Sequence, residues 1–225
     1  MKYPLSPISI SRMSPRDLRN LIQTGEGPYL EFKKVTPSAE KIAREISAFA
    51  NSDGGTILVG VNDDKSVPGV AAYFEEEYLL QKAAADLCVP EVPITIEMVH
   101  YADVDVLVVT VPEAEAKPVW LKGKKRRYVY VRRDDESVLA SDEMIEVLKN
   151  GSREEGVTFE YGERERMLFR YLNEYGEITV EKYAHLINVT TFRSARILVN
   201  LVSAGILSLS NRANIDYFTF SQRTK

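Results

Sequence analysis

The side chains best suited to chemistry form a basic run in the middle of the chain. Tyr128 and Tyr130 are interleaved with it, while the surrounding region is acidic. Because lysine and arginine neutralise phosphates, such a concentrated patch predicts a hairpin that follows a nucleic-acid backbone. A solvated hairpin tip without a ligand is the alternative interpretation. The basic residues are Lys122, Lys124, Lys125, Arg126, Arg127, Arg132 and Arg133.

A second set of polar side chains recurs at helical spacing near the C-terminus. A helix that starts at Thr190 or Thr191 and runs through Ala204 would bury one apolar side and present this set outward. Helices with such an outward set read the major groove of DNA, although many related helices bind proteins instead. Arg212 follows near a predicted turn, where it could reach a phosphate or a minor groove. The outward residues are Thr190, Thr191, Arg193, Arg196 and Asn200.

Other residues with chemical potential give weaker predictions. The backbone N–H groups of Gly54 and Gly55 could face an anion, but the end of a helix packed close to a strand explains the pair better. His100 and His185 lack a neighbouring Cys or His at metal-ligand spacing. The sequence also lacks the G-x-S-x-G, H-E-x-x-H and C-x-x-C motifs, so the hydrolase and redox sites that these motifs mark have no support.

The elements that position the basic run alternate between helix and strand. Ser14 is predicted to cap a first helix, and a second helix begins after Ser38 and ends at Asn51. Apolar runs bounded by turn residues predict the strands. These strands lie at 29–33, 56–61, 94–100 and 104–111, with another pair around the basic run, and further helices lie at about 72–88 and 141–150.

The end of the chain has the element order of a winged helix. Three stretches of helical periodicity, within residues 163–204, are followed by two short apolar runs that predict a hairpin. Three helices followed by two strands is the winged-helix order. The polar stretch Gly151–Gly156 is typical of a linker. We therefore predict an α+β protein of two domains, 1–155 with a mixed sheet and 156–225 with a winged helix.

Composition limits the classes to which the protein can belong. The 225 residues carry a net charge of −4, with acidic residues in excess over 1–156 and basic residues in excess over 157–225. A negative net charge argues against nonspecific coating of nucleic acid, because phosphate binding needs local cationic density. No apolar run approaches the roughly 20 residues that span a bilayer, and the N-terminus lacks the apolar core of a signal peptide. We expect a cytoplasmic protein without a membrane partner.

Several short blocks occur in a fixed order along the first domain: Glu26, Leu30–Lys33, Ala48–Gly55, Ile57–Asp64, Val108–Pro112, Lys117–Pro118 and Tyr130–Arg132. Taken together, they resemble the Schlafen-type AlbA-like domain over about residues 14–150. The resemblance implies an AlbA-like α/β domain, and bacterial members followed by a winged helix are described as DNA-binding or transcriptional regulators. After Arg132 the family usually continues with glycine and small polar residues, whereas this chain has Arg133–Glu136.

The resemblance also implies a catalytic alternative. Animal relatives cleave RNA with three carboxylates and a metal ion, and Glu26, Glu31 and Asp63 occupy the matching positions. Carboxylates that converge on Mg²⁺ or Mn²⁺ would polarise a phosphoryl oxygen and lower the pKa of the attacking water. In the other interpretation the three carboxylates have structural roles, with Glu26 in a loop, Glu31 in a strand and Asp63 in a turn. We therefore expect no cofactor, with Mg²⁺ or Mn²⁺ bound only if the protein is a nuclease.

The sequence supports three functional hypotheses. The leading one is a nucleic-acid-binding protein, a transcriptional regulator that binds DNA rather than RNA, whose first domain is a contact surface or a platform for a homo-oligomer. The second is a metal-dependent endoribonuclease, and the third is a protein–protein interaction adaptor. The nucleic-acid contacts predicted by the leading hypothesis are Lys124, Lys125, Arg126, Arg127, Arg132, Thr191, Arg193, Arg196 and Arg212.

Overall fold

The computed structural model describes residues 9–123, 126–151 and 162–221. The chain divides into two compact units, Met1–Leu139 and Ala140–Lys225. Each unit contains buried apolar clusters of its own. A separate core in each unit is the property expected of domains.

The boundary between the units differs from the one predicted after residue 155. Helix α4 (Asp142–Gly151) belongs to the second unit, where it packs against helix α7 (Thr191–Ser203). The sequence assigned α4 to the first domain because the polar stretch that follows it is typical of a linker. Lys124, Lys125 and the predicted linker residues 152–156 lie outside the described residues.

A mixed four-stranded sheet forms the centre of the first unit. Its first two strands pair in parallel, and the other neighbours are antiparallel. The central strands are continuous apolar runs because elements cover both of their faces. The predicted α+β class with a mixed sheet is confirmed. The spatial order is β1 (Leu30–Lys33), β2 (Gly55–Val59), β5 (Val104–Val111) and β4 (Thr95–Tyr101).

A second, antiparallel sheet carries the described part of the basic run. Its last strand was not predicted, because the turn before it lacks glycine. Asp134 adopts φ 54° in that turn, and Arg133 pairs with Glu136 at 2.7 Å across it. A short polar side chain tolerates the left-handed conformation, so the turn forms without glycine. The order is β3 (Cys88–Val89), β6 (Trp120–Lys122), β7 (Arg127–Arg133) and β8 (Glu136–Leu139).

Helices cover both faces of the first sheet. Helix α1 (Pro15–Thr24) begins with the predicted cap, Ser14, and buries its apolar side against one face. Helix α2 (Ala39–Asn51) packs against the opposite face and against the second sheet. Helix α3 (Tyr73–Lys82), which continues as a π-helical turn through Leu87, packs against α2. Helix α2 is therefore the element through which the two sheets are connected.

Three helices followed by a hairpin complete the second unit, in the predicted order. Tyr183, Leu198 and Phe218 are among the side chains buried between these elements. No helix in the described parts of the chain is long and apolar enough to cross a membrane. The elements are α5 (Glu163–Tyr175), α6 (Val180–Ile187), α7, β9 (Leu207–Arg212) and β10 (Ile215–Phe220).

Candidate nucleic-acid interface

The last residue of α2, Asn51, fixes the second sheet to that helix. Its Nδ2 donates to the carbonyl oxygens of Val119 (3.0 Å) and Tyr130 (2.9 Å), and its Oδ1 accepts from the Val119 N–H (2.7 Å). Val119 precedes β6 and Tyr130 lies in β7. A buried amide must find partners for both its donors and its acceptor, and here the backbone of the second sheet supplies them.

Two glycines after α2 are required for close packing. Gly54 has φ 75°, and a Cβ there would lie 2.8 Å from the carbonyl oxygen of Val111. A Cβ on Gly55 would lie 2.3 Å from the ring of Phe49. Non-bonded atoms do not approach this closely without repulsion, so larger residues would displace the strand. The packing interpretation of this pair is therefore supported over the anion-binding one.

Arg132 of β7 is buried, which corrects its predicted role as a nucleic-acid contact. Its side chain is 2% exposed, and Nη1 donates to the carboxylates of Glu31 (3.0 Å) and Glu45 (3.2 Å). Nη2 donates to the carbonyl oxygen of Gly27 (2.7 Å), and the guanidinium lies over the Phe49 ring at 4.5 Å. A guanidinium enclosed in this way has no free face for a phosphate. It links β1, α2 and β7 instead.

Four of the sequence blocks that resemble the Schlafen-type domain contribute to the contacts around this arginine. Ser52 connects two of them, because its Oγ accepts from the Arg132 N–H (3.0 Å) and its carbonyl oxygen accepts from Lys117 Nζ (2.7 Å). Glu31 and Asn51 contribute from two further blocks. Blocks that are far apart in the chain are thus parts of one polar network. The network explains why they occur together.

Two of the three carboxylates of the nuclease hypothesis, Glu26 and Glu31, are engaged by other groups of the protein, and the third, Asp63, acts on Glu26 through its charge. Glu26 accepts from the Phe32 N–H (2.9 Å), and burial, together with the charges of Glu31 and Asp63, raises its pKa. The Glu31 carboxylate is paired with Arg132 and with a lysine of its own strand. Among the described residues, no group of three or more His, Cys, Asp or Glu side chains is arranged to hold a metal ion. As placed, these carboxylates do not fit a divalent metal ion.

The described part of the basic run lies at the adjoining ends of β6 and β7 and includes exposed cations. The Gly123 N–H donates to the carbonyl oxygen of Arg126 (3.0 Å), whose guanidinium lies over the Tyr128 ring at 4.8 Å. Lys122 and Arg127 stand directly opposite each other in β6 and β7, and Lys122 Nζ donates to a backbone carbonyl at 2.5 Å. Like charges in opposite positions destabilise a strand pair, so an anion bound between them would stabilise this hairpin.

A cleft beside α7, called the arginine cleft below, brings the predicted arginines of the second unit together. Thr190 caps α7 by accepting from the Arg193 N–H (3.4 Å). Arg193 and Arg196 are exposed in the next turn and line the cleft, which has a volume of about 540 Å³. Arg164 of α5 lines it from the other side. The remaining lining residues are Glu165, Thr190, Phe192, Ile197 and Asn200.

The arginine cleft has the electrostatics of an anion site. In the described parts of the chain, no ion pair links Arg164, Arg193 or Arg196 to a carboxylate. Glu165, which is the acidic residue among the described residues on its wall, accepts from the Gly162 N–H (2.8 Å) at the start of α5. The N-terminal turn of α7 adds the positive end of the helix dipole. Three guanidinium groups and a helix terminus therefore border one open space.

Two further predicted contacts lie outside the arginine cleft. Arg212 is in strand β9, where it pairs with Glu177 and lies over the Tyr217 ring at 4.0 Å. Thr191, the first residue of α7, is exposed and lines a different groove of the same helix. The structure thus brings Arg193 and Arg196 together at the arginine cleft, whereas Arg212 and Thr191 do not line it.

Sequence reasoning missed four residues around these sites. Arg44 of α2 extends the cationic surface of the hairpin, with its guanidinium 5.9 Å from the centre of the Tyr130 ring. Arg164 completes the arginine cleft, and Phe192 on its rim is 73% exposed. Glu45 is the second carboxylate of Arg132. An exposed aromatic residue beside a helix cap was a usable signal for Phe192, whereas the other three depend on contacts between distant segments.

Comparisons with known proteins concern mainly the first unit. No curated protein is significantly similar to the chain. The N-terminal domain of a RecG-related protein from Nitrosomonas europaea is 24% identical, with a TM-score of 0.43, over 57% of this chain and 91% of that one. The DIP2311 protein from Corynebacterium diphtheriae is 16% identical, with a TM-score of 0.42, over 58% of this chain and 28% of that one.

Residues 26–141, just over half of the chain, match the family model described as Schlafen, AlbA_2. The protein therefore belongs to the Schlafen AlbA_2 family.

Proposed function

We propose that the protein is a cytoplasmic, DNA-binding transcriptional regulator. The observation that carries the proposal is the arginine cleft, where Arg164, Arg193 and Arg196 border one open space at the start of α7. Guanidinium groups and helix N-termini are the protein groups that recognise phosphate best. Membership of the Schlafen AlbA_2 family supports nucleic-acid binding independently.

The order of elements in the second unit supports a winged-helix role for it. In this role α7 is the recognition helix and enters the major groove, where Thr191 and Asn200 reach base edges. The arginine cleft then holds the phosphates that flank the groove. Arg212 supports the hairpin from its place beside Glu177. Duplex DNA is favoured over RNA because the major groove of an A-form helix is too narrow for a recognition helix.

The basic hairpin of the first unit is proposed as the second contact surface. Arg126 and Arg127 are exposed there, and Arg44 extends the surface onto α2. These cations would follow the backbone and increase affinity without reading sequence. A platform for a homo-oligomer is the alternative role of this unit.

Removal of the cleft arginines tests the proposal. The triple variant Arg164→Ala/Arg193→Ala/Arg196→Ala is compared with the wild-type protein by fluorescence anisotropy on labelled DNA duplexes over a series of salt concentrations. We expect about a 100-fold loss of affinity at low salt, because three phosphate contacts disappear. The slope of log affinity against log salt should fall by about 2 to 3.

A matched variant separates local contacts from a general loss of charge. Arg166→Ala/Arg170→Ala/Lys182→Ala removes three exposed cations of the same unit that do not line the cleft. Its affinity should stay within about threefold of the wild type. An equal loss in both triple variants, or no binding of any duplex at low salt, would contradict the proposal. Tighter binding to duplex RNA than to duplex DNA would contradict the assignment of α7 as a major-groove helix.

A further inference from the structure

A second depression lies on the other side of α7 from the arginine cleft. Phe192, Arg196 and Asn200, spaced four residues apart, form a ridge along α7 that borders both. The second depression, called the acidic groove below, lies between α4 and α7 and has a volume of about 710 Å³. Its floor is formed by the apolar side chains of Val180, Ala195 and Val199.

The wall of the acidic groove is negatively charged. Asp142, Glu143 and Glu146 of α4 line it together with Glu181 of α6. Burial raises the pKa of Glu143, and the charges of Asp216, Asp142 and Glu181 raise it further. These carboxylates therefore repel one another, and a positively charged partner would stabilise their ionised forms.

The acidic surface extends beyond the groove itself. Glu143 and Glu181 also line an adjoining depression of about 400 Å³ against β10. Asp216 lies there and accepts from Ser141 Oγ (2.5 Å), so another carboxylate continues the same negative surface. A segment of a partner protein could contact several carboxylates of such an elongated surface at once. A single small ion would contact only some of them.

Apolar surface accompanies the charge. Phe192, on the ridge, is 73% exposed. The apolar residues of α4 are all half-buried, so this helix keeps part of its apolar side accessible. Aromatic side chains beside a groove are typical anchors of protein interfaces. A free polycation would leave this apolar surface uncovered.

We propose that the acidic groove docks a basic amphipathic helix of a partner protein. The apolar side of that helix covers Phe192 and the groove floor, and its lysine or arginine side chains meet Glu143, Glu146 and Glu181. This is the helix-in-groove mode of recognition, with charge complementarity setting the choice of partner. Nucleic acid is an unsuitable occupant because the carboxylates repel phosphate.

Occupation of the acidic groove has a consequence for the arginine cleft. Phe192 and Arg196 border both depressions, so a helix in the groove would contact side chains that face DNA on the other side. Docking and DNA binding should therefore weaken each other by the same factor. This antagonism rests on the proposed function, whereas the docking itself does not.

The docking is tested with a designed probe in the absence of DNA. The probe is a fluorescein-labelled helical peptide with leucine on one side and lysine on the other, titrated with the full chain and followed by anisotropy. We expect saturable binding that weakens at least about tenfold in Glu143→Lys/Glu146→Lys. Phe192→Ala should weaken it about three- to tenfold at unchanged net charge. The exposed pair of Glu146 with Lys149 is a surface contact, so its loss leaves the fold intact.

Controls distinguish the groove from the general acidity of the protein. Glu91→Lys/Glu115→Lys changes the net charge equally at exposed positions of the first unit and should leave affinity within about twofold. A peptide of the same composition with leucine and lysine scrambled, and spermine, should compete poorly. Equal losses in both double variants, no saturable binding, or equal competition by spermine would overturn the proposal. Docking without any effect on DNA affinity would overturn the antagonism and leave the docking site in place.

Discussion

The two units place arginine in opposite environments. In the first unit Arg132 is enclosed by Glu31 and Glu45, whereas in the second Arg164 and Arg193 border an open cleft. Neighbours in sequence do not separate these cases, because Arg132 and Arg164 both stand in charged segments. A buried charge is tolerated when carboxylates from other elements pair with it, and an exposed one stays available to a ligand. Pairing across the fold therefore decides which basic residues hold the structure and which can bind.

Arg132→Ala should have the largest effect on stability. We expect the free energy of unfolding of the first unit to fall by about 3 to 5 kcal/mol, because Glu45 would lose the cation paired with it and Glu31 would keep only Lys33. Trp120, the one tryptophan of the sequence, lies in β6, so its fluorescence during urea unfolding follows this unit. Arg127→Ala, at an exposed position, should change the same quantity by less than about 0.5 kcal/mol. Equal changes in the two variants would remove the distinction between buried and exposed arginines.

Asn51→Ala tests whether the rest of the network matters as much as its arginine. The variant removes the hydrogen bonds of Asn51 to the Val119 N–H and to the carbonyl oxygens of Val119 and Tyr130, of which the Val119 carbonyl keeps Ser47 Oγ as a donor. We therefore expect a loss of about 2 to 3 kcal/mol. Asn62→Ala is the control, because Asn62 is half-buried just before a turn and its side chain donates only to Ser66 Oγ, across that turn. A loss in Asn51→Ala no larger than in the control would show that the second sheet is held by apolar packing alone.

Arg164→Ala should affect binding and leave stability unchanged. One phosphate contact contributes about 1 kcal/mol, which corresponds to a loss of about three- to tenfold in DNA affinity at low salt. Anisotropy measures the affinity, and a thermal unfolding scan should show the same transition as the wild-type protein. Arg166→Ala serves as the control from the same helix. If Arg164→Ala destabilised the protein as much as Arg132→Ala does, Arg164 would also have a structural role.

Glu45→Gln is expected to give the smallest effect, visible in the pH dependence of stability. Burial raises the pKa of Glu45 above its ordinary value of 4.5, and the charge of Glu31 raises it further. The folded state then holds the proton more tightly than the unfolded state, so this group's contribution to stability is present below pH 4.5 and is lost as pH rises through the raised pKa. The variant should flatten the curve of unfolding free energy against pH over that window. An unchanged curve would exclude this carboxyl group as a source of the slope.

Local signals in the sequence predicted most of the fold. Ser14 and Thr190 cap their helices as expected, and the apolar runs around Ala102 form the predicted hairpin. Helix caps, apolar periodicity and turns depend on residues that are close together in the chain, so they can be recognised from a single sequence. The strand β8 was missed because Asp134 takes a conformation for which glycine is the usual signal.

The candidate sites were predictable only in part. Arg193 and Arg196 follow from their outward spacing on one helix, and the structure places both at the arginine cleft. Arg164 joins them from a different helix, α5. Arg132 becomes buried because Glu45 approaches it from α2. The environments of Arg164 and Arg132 depend on which distant segments pack together, and the charges of neighbouring residues in the sequence do not predict that packing.

The network around Asn51 has a consequence for how the first unit opens. Its hydrogen bonds and the ion pairs of Arg132 tie α2, β1 and β7 to one another, so none of these elements can separate while the others stay folded. Amide hydrogens in all three should therefore exchange with solvent deuterium at one common rate that is set by a single cooperative opening. The first unit then behaves as one foldon, although it contains two separate sheets.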